Sequence, residues 1–298
     1  MTPFPDRIYF SLCFNVPPEA LGVWNQLVAY LDRKGVLPLR WEAMPSIKKD
    51  NLFYPSTSRL KLTSLEVSEL LQEIPQHGFW VDTGHSAQSV GFSLNHGNLY
   101  CRVEALAEAP NDWAPMLESL MSAFECVGAW QWLHRYRVWQ WIDEIHETYE
   151  NQWGALPPGY RTWTKPGPTP SLTPQPERTF IDISLNPGRP KELSSEVSFY
   201  PTAEMWLGPH FWPYAKCTKE EALAADFWLE TRDTPHYTYF KCWPTSFTRP
   251  DGEQGRMQQR LWKLFFHEDC EWPPGSGTIC NEPMYGPPEL MPTATPQP

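Results

Sequence analysis

The order of apolar and polar positions at the start of the chain predicts a strand followed by a helix. Residues 8–14 (IYFSLCF) form a nearly continuous apolar run, which is typical of a buried strand. Pro17 and Pro18 suit the first turn of the helix that follows, and Gly35 suits its end. Apolar residues recur at helical spacing between them, at Ala20, Leu21, Trp24, Leu27, Val28 and Leu31. We expect this amphipathic helix to pack on a sheet.

A second helix is predicted from Thr63, because Thr63 and Glu66 have the T-x-x-E spacing of a capping box. Its apolar side consists of Val67, Leu70, Leu71 and Ile74, and one flank carries the carboxylates of Glu66, Glu69 and Glu73. Strands are then predicted over residues 78–82, 88–94 and 99–105, with a hairpin turn over 95–98. Asp112 is a candidate cap for a third helix that runs to Phe124.

The stretch 139–154 (WQWIDEIHETYENQWG) predicts an acidic amphipathic helix. At about 100° per residue, the apolar side chains of Val138, Ile142, Ile145 and Tyr149 fall within one sector. The opposite side displays Asp143, Glu147 and Glu150. Like charges three or four residues apart weaken a helix by a few tenths of a kcal/mol per pair. Two interpretations stay open: a solvated acidic face, or a docking surface for a basic partner.

Residues 156–177 are rich in proline and predict a connector between two folded parts. Strands are expected again over 178–185, as a pair over 197–200 and 203–207, and over 236–243. Helices are expected from Thr218, which has a second capping box with Glu221, and from Asp251. The resulting domains are 1–155 and 178–280, each a sheet with helices, and 281–298 is a loose tail. Without regular βαβ alternation, the predicted class is α+β.

Composition and charge narrow the functional classes. A formal net charge of −11 disfavours direct binding to phosphate backbones and favours a basic partner. The chain has 16 tryptophans, whose large rings must be buried in a core or used at an interface. Seven cysteines without a CxxC pair indicate reduced thiols and a cytoplasmic protein. The first ten residues do not resemble a signal peptide, and no apolar run is long enough to span a membrane.

Motifs for catalysis or metal binding are incomplete. His146 and Glu150 resemble part of the zinc motif HExxH, but the second histidine is absent. Asp82-Thr83-Gly84 resembles one aspartic protease loop, whose chemistry requires two copies. A cysteine nucleophile cannot be chosen among seven candidates, and the three histidines of a possible metal triad, His77, His85 and His96, are scattered. We therefore predict no catalytic residue, no metal and no cofactor.

Four segments carry a resemblance to a known family: IYFSLCF with its proline-started helix, HGFWVDTG, QWGALPPGYRTW and ADFWLETRDTPHYTYFKCWP. Together they resemble α+β immunity proteins, which are encoded beside toxins of type VI secretion and polymorphic toxin systems. The family protects against nuclease toxins of the restriction-endonuclease-like class. The resemblance covers residues 8–272 and carries no catalytic signature.

The resemblance implies a cytosolic antitoxin that binds a cognate basic toxin and occludes its active surface, without catalysis of its own. It supplies no contact residues. The candidate contacts come from charge geometry alone: Asp143, Glu147, Glu150, Glu66, Glu69 and Glu73. Two other hypotheses remain: a cysteine- or metal-dependent hydrolase, and an adaptor of a secretion apparatus. The oligomeric state cannot be inferred.

Overall fold

The fold was taken from a computed structural model of the chain. It describes the residues 8–15, 20–49, 52–55, 60–73, 79–82, 89–94, 100–107, 113–141, 144–145, 150–151, 154–160, 162–166, 177–181, 186–193 and 197–268.

The helices of the described ranges are α1 Ala20–Arg33, α2 Ser64–Glu73, α3 Ala114–Ala123, α4 His134–Trp141, α5 Lys219–Leu223 and α6 Gly252–Phe266. Three of them, α2, α5 and α6, begin directly after the predicted residues Thr63, Thr218 and Asp251. Gly35 follows α1 with a φ of +69°, the left-handed conformation that glycine adopts without strain. Asp251 is the N-cap residue of α6, as predicted. The predicted cap of α3, Asp112, lies outside the described residues, and Trp113 occupies the N-cap position there.

The strands include several that the sequence pattern did not predict. They are β1 Ile8–Asn15, β2 Trp41–Lys49, β3 Leu52–Pro55, β4 Leu60–Leu62, β5 Phe79–Asp82, β6 Ser89–Leu94, β7 Tyr100–Ala107, β8 Cys126–Leu133, β9 Glu144–Ile145, β10 Thr162–Pro166, β11 Glu177–Ile181, β12 Lys191–Glu192, β13 Ser198–Phe199, β14 Glu204–Leu207, β15 Glu230–Asp233 and β16 Thr238–Lys241. Helices and antiparallel sheets together confirm the α+β class.

One large antiparallel sheet of 11 strands organises the fold. Its order is β15-β16-β14-β8-β1-β7-β6-β5-β2-β3, and β4 pairs with β2 beside this path. β8 lies near its middle, between β1 and β14. The sequence of β8, CVGAWQWL, is apolar on both sides, because both faces of this strand are covered.

The connector does not divide the sheet into two. Met205 of β14 lies opposite Trp130 of β8, so strands from both predicted halves pair directly. The expected pairing of 197–200 with 203–207 is also different: β13 pairs with β12, and β14 pairs with β8 and β16. Within the predicted connector, β10 pairs with β11 at the edge of a three-stranded sheet. Chain segments distant in sequence thus share one sheet.

The two faces of the large sheet carry separate cores. The first face is the one that carries Phe10, Leu12 and Phe14 of β1, and these residues pack with α1, α2 and α3. The second face carries Cys13 and, from β8 and its neighbours, Trp130, Trp132, Met205 and Phe240; residues 197–266 cover this face with Phe199, Phe211, Leu261, Trp262, Phe265 and Phe266. The protein is therefore layered, with a sheet between two coverings.

The predicted acidic helix over 139–154 is wrong as a continuous element. α4 ends at Trp141, and Glu144 and Ile145 form β9, opposite Phe180 and Thr179 of β11. The local carboxylates weaken a helix by mutual repulsion, whereas β11 provides partners for the backbone N–H and C=O groups. The continuous helix on which the predicted carboxylate stripe depended is therefore interrupted at Glu144 and Ile145, and Asp143 and Glu147 themselves lie outside the described residues.

Candidate functional site

The six predicted contact residues are only partly described. Glu66 and Glu69 lie exposed on α2, and Glu73 is its last residue. Glu150 is exposed, whereas Asp143 and Glu147 lie outside the described residues. Within the described residues, Glu66 and Glu69 therefore form the acidic flank.

Glu66 has a structural role besides its charge. Its carboxylate accepts hydrogen bonds from the backbone N–H of Thr63 at 2.6 Å and from the Thr63 hydroxyl at 2.9 Å. The backbone N–H of Glu66 donates to the Thr63 hydroxyl at 3.3 Å in return, which confirms the predicted capping box. The bonds from Thr63 lower the pKa of the Glu66 carboxyl.

Exposed large apolar side chains occur mostly in the segment after α1 and around the start of α2. Of the five described residues of this kind, Leu229 lies elsewhere, and the other four are Val36, Leu39, Leu60 and Leu65. Leu39 is 94% exposed and Leu65 is 68% exposed. We call Val36, Leu39, Leu60, Leu65, Glu66 and Glu69 the corner patch. Single exposed leucines are ordinary, but a group of them indicates an interaction surface.

Strand pairing brings the corner patch together. Trp41, the first residue of β2, lies opposite Leu62, the last residue of β4. Leu39 comes two residues before this pair and Leu65 three residues after it, so both follow from the same end of the strand pair. The Arg40 guanidinium donates a hydrogen bond to the carbonyl of Lys61 at 3.1 Å, one residue from Leu39 and Leu60. The backbone of the patch is thus fixed by two segments that are about twenty residues apart.

Buried tryptophans support the corner patch from below. The Trp41 indole N–H donates to the Ser64 hydroxyl at 3.0 Å, and that of Trp24 donates to the Ser68 hydroxyl at 3.1 Å. The two rings pack with centroids 4.7 Å apart. These contacts fix the first turns of α2, so a partner would meet a preorganised surface.

Basic residues also border the corner patch: Arg33, Lys34, Arg40 and Lys61 are exposed. The patch is therefore of mixed charge.

A second feature is an arginine among aromatic rings on the second face. The Arg137 guanidinium carbon lies 4.6 Å from the ring centroid of Tyr9, 5.0 Å from that of Trp132 and 5.9 Å from that of Tyr200. The Trp132 and Tyr200 centroids are 4.5 Å apart. Burial raises the pKa of the Tyr9 phenol, and the charge of Glu104 adds to this effect. We call Arg137, Tyr9, Trp132 and Tyr200 the arginine–aromatic cluster.

Sequence reasoning missed both features, for different reasons. Leu65 is out of phase with the apolar side of α2, which is a local signal that was present. The arginine–aromatic cluster joins Tyr9 to Tyr200 across most of the chain, and no local pattern reports such a contact.

Nucleophile chemistry finds little support at the described cysteines. Cys13, Cys126, Cys217 and Cys242 are buried, and none of these four forms a disulfide. Burial raises the pKa of the Cys217 thiol to about 11 and that of Cys242 to about 12, and it raises the pKa of Cys126 as well. A thiol protonated at neutral pH is a poor nucleophile.

The metal interpretations fall mostly outside the structure. His77, His85, His96 and His146 are not among the described residues. Over the described ranges, no group of three or more His, Cys, Asp or Glu side chains is arranged to hold a metal ion. No helix in those ranges is both long and apolar enough to cross a membrane.

Comparison of the chain with known protein families, with curated proteins and with solved structures finds no match.

Proposed function

We propose that the chain is an immunity protein that binds a cognate secreted bacterial toxin, a nuclease, in the cytosol and blocks its active surface. The observation that carries this proposal is the corner patch, where exposed leucines adjoin the carboxylates of Glu66 and Glu69. An apolar centre with a charged rim is the usual composition of a protein-binding surface.

The overall charge supports a basic partner. A nuclease presents positive potential to phosphates, and a chain with a net charge of −11 attracts such a surface over a distance of about 10 Å at 0.1 M salt. This attraction speeds association, whereas the apolar contacts slow dissociation. The mixed charge of the corner patch then favours one orientation of the partner. The hydrolase alternative is less favoured, because the raised pKa values of Cys126, Cys217 and Cys242 oppose thiolate formation.

The test is coexpression with the toxin domain encoded by the adjacent gene. We expect the wild-type chain to restore growth and to bind the purified toxin domain. The double variant L39D/L65D should weaken that binding at least about 30-fold, because it places two charges in the apolar centre. The matched control is L229D, since Leu229 is 60% exposed and lies outside the patch.

Two outcomes would contradict parts of this proposal separately. If the wild-type chain neither binds nor neutralises the toxin domain, the immunity function is wrong. If the wild type and L39D/L65D protect equally well, the function stands but the corner patch is not the contact surface.

A further inference from the structure

We propose that the arginine–aromatic cluster is a binding site for a small oxyanion, a carboxylate or phosphate group held by Arg137. This inference concerns the second face of the sheet and does not depend on the corner patch or on the immunity function.

Arg137 differs from the arginines that form ion pairs at the protein surface. Arg232, Arg249 and Arg260 lie near the surface, and each has a carboxylate within 4 Å. Arg137 is half-buried, and no ion pair forms between it and another residue of the described ranges. Its Nε atom is fully enclosed and has no hydrogen-bond partner there. Among the described residues, no carboxylate forms an ion pair with this half-buried cation, and burying a cation without one is costly, so the arrangement favours a bound anion.

Nearby charges keep Arg137 protonated but do not neutralise it. Burial lowers the pKa of the Arg137 guanidinium, and Tyr9, Tyr200 and Glu104 raise it by more. Glu104 is the carboxylate that acts on Arg137, and it also pairs with Arg102, with N and O atoms 3.8 Å apart. In the register of β1 and β7, Arg102 lies opposite Cys13 and Glu104 opposite Ser11, on the same face as Tyr9.

A cavity lies beside Arg137, and its other polar walls are already engaged. Trp132, Tyr136, Tyr200, Thr202 and Gln258 line it together with Arg137. The Tyr136 hydroxyl donates to Gln258 Oε1 at 2.7 Å, and Gln258 Nε2 donates to the carbonyl of Pro201 at 3.0 Å. The Thr202 hydroxyl donates to the carbonyl of Glu204 at 2.7 Å. Arg137 shares a side-chain hydrogen bond with Tyr200, so the donors left to a ligand are its remaining N–H groups.

The geometry suits a small anionic group. The guanidinium lies over the rings of Tyr9 and Trp132, and such stacking does not use the N–H groups at its edge. That edge matches two oxygens of a carboxylate or phosphate. The cavity has about 300 Å³ of empty space, which includes open solvent, so a small group can reach the guanidinium beside it.

The test measures thermal unfolding of the purified chain in sodium phosphate, sodium acetate and sodium chloride at equal ionic strength. We expect phosphate or acetate to raise the Tm saturably by about 5 °C, whereas chloride does not. Trp132 adjoins the guanidinium, so its fluorescence should change over the same concentration range. The response should disappear in R137M. It should persist in the control R260M, because Arg260 also lies over a ring, that of Phe227, but binds Asp226.

The two anions are then compared, and the one that raises the Tm at the lower concentration shows whether the site prefers a phosphate or a carboxylate group. The proposal is overturned if no anion acts on the wild type, if chloride acts equally, or if R137M responds like the wild type. Should R137M fail to fold by circular dichroism, R137K decides, because lysine keeps the charge but lacks the planar fork. A loss of about tenfold in affinity supports the site, and an unchanged affinity overturns it.

Discussion

The two faces of the large sheet are covered by different kinds of structure. On the first face, α1, α2 and α3 satisfy their own backbone groups and present apolar side chains to β1. On the second face, much of the cover between residues 186 and 217 is turns and short strands. Such segments need other partners for their polar groups, so this face requires directional contacts as well as apolar ones.

A buried network of side-chain amides provides those contacts on the second face. Gln140 Oε1 accepts from the backbone N–H of Gly188 at 3.0 Å, and Gln140 Nε2 donates to the Tyr160 hydroxyl at 2.6 Å. The Trp262 indole N–H donates to the carbonyl of Pro187 at 3.0 Å. The first face is therefore held mainly by apolar packing, with indole bonds from Trp24 and Trp41 to α2, whereas the second face also depends on hydrogen bonds to the backbone of its cover.

The largest expected effect comes from G208A, which tests the close approach at the edge of the second face. Gly208 N–H donates to the carbonyl of Val127 at 2.9 Å, and a Cβ at this position would overlap the Cys126 carbonyl oxygen. Backbone atoms cannot move aside as a side chain can, so we expect a loss of about 3 kcal/mol in the free energy of unfolding. Urea unfolding followed by tryptophan fluorescence would measure it.

The control for G208A is G35A on the first face. Nothing lies within 4 Å of a Cβ at Gly35, so only its positive φ is disfavoured, at a cost of about 1 kcal/mol. Equal losses for the two variants would mean that β14 can shift away from β8, and that the second face is not closely constrained.

A smaller effect is expected from E118A, which removes the hydrogen bonds that join α3 to β14 and β15. Glu118 Oε1 accepts from the Trp206 indole N–H at 3.1 Å and from Arg232 Nη2 at 2.9 Å. Trp206 is buried, so the loss of its acceptor should cost about 1.5 kcal/mol. R232M keeps the indole bond but removes the partly exposed ion pairs with Glu118 and Glu230 and the contact with the Tyr239 ring, and it should cost about 0.5 kcal/mol. Similar losses in urea unfolding for both would show that the indole bond contributes little.

What the sequence could predict depends on another difference, that between local and long-range contacts. β1, α1 and the two capping boxes depend on neighbours within a few residues, and their patterns located them correctly. The position of β8 between β1 and β14 depends on pairing across more than seventy residues to Met205. Glu144 shows the same limit, because the pairing with Phe180 of β11 prevailed over a helical pattern.

The candidate sites follow the same division. Glu66 and Glu69 were found by charge and spacing on one helix. The leucines of the corner patch are brought together by β2 and β4, neither of which was predicted. Arg137 was visible only as a neighbour of an acidic stretch, since the rings around it come from β1, β8 and the segment before β14. Local chemistry was predictable and its assembly was not.

The smallest expected effect compares one motif on the two faces. Glu66 caps α2 on the first face, and Glu221 caps α5, whose Ala222 lies in the core of the second. Hydrogen bonds from the Thr63 and Thr218 backbones lower the pKa of both carboxyls. Because the folded-state pKa values are lowered, the stabilisation is complete above the unfolded value near 4.5 and is lost as the pH falls through the folded values.

E66Q and E221Q should therefore each flatten the acid side of the stability profile, because glutamine keeps a capping acceptor without the charge. The measurement is urea unfolding between about pH 6 and pH 3. E69Q is the control, since Glu69 has the same exposure on α2 and lies outside the capping box. If the second face unfolds as one cooperative unit, E221Q should shift the single unfolding transition that total tryptophan fluorescence reports. E66Q should instead cause α2 to open before the rest of the chain unfolds, because local opening near an exposed helix end requires less free energy than global unfolding.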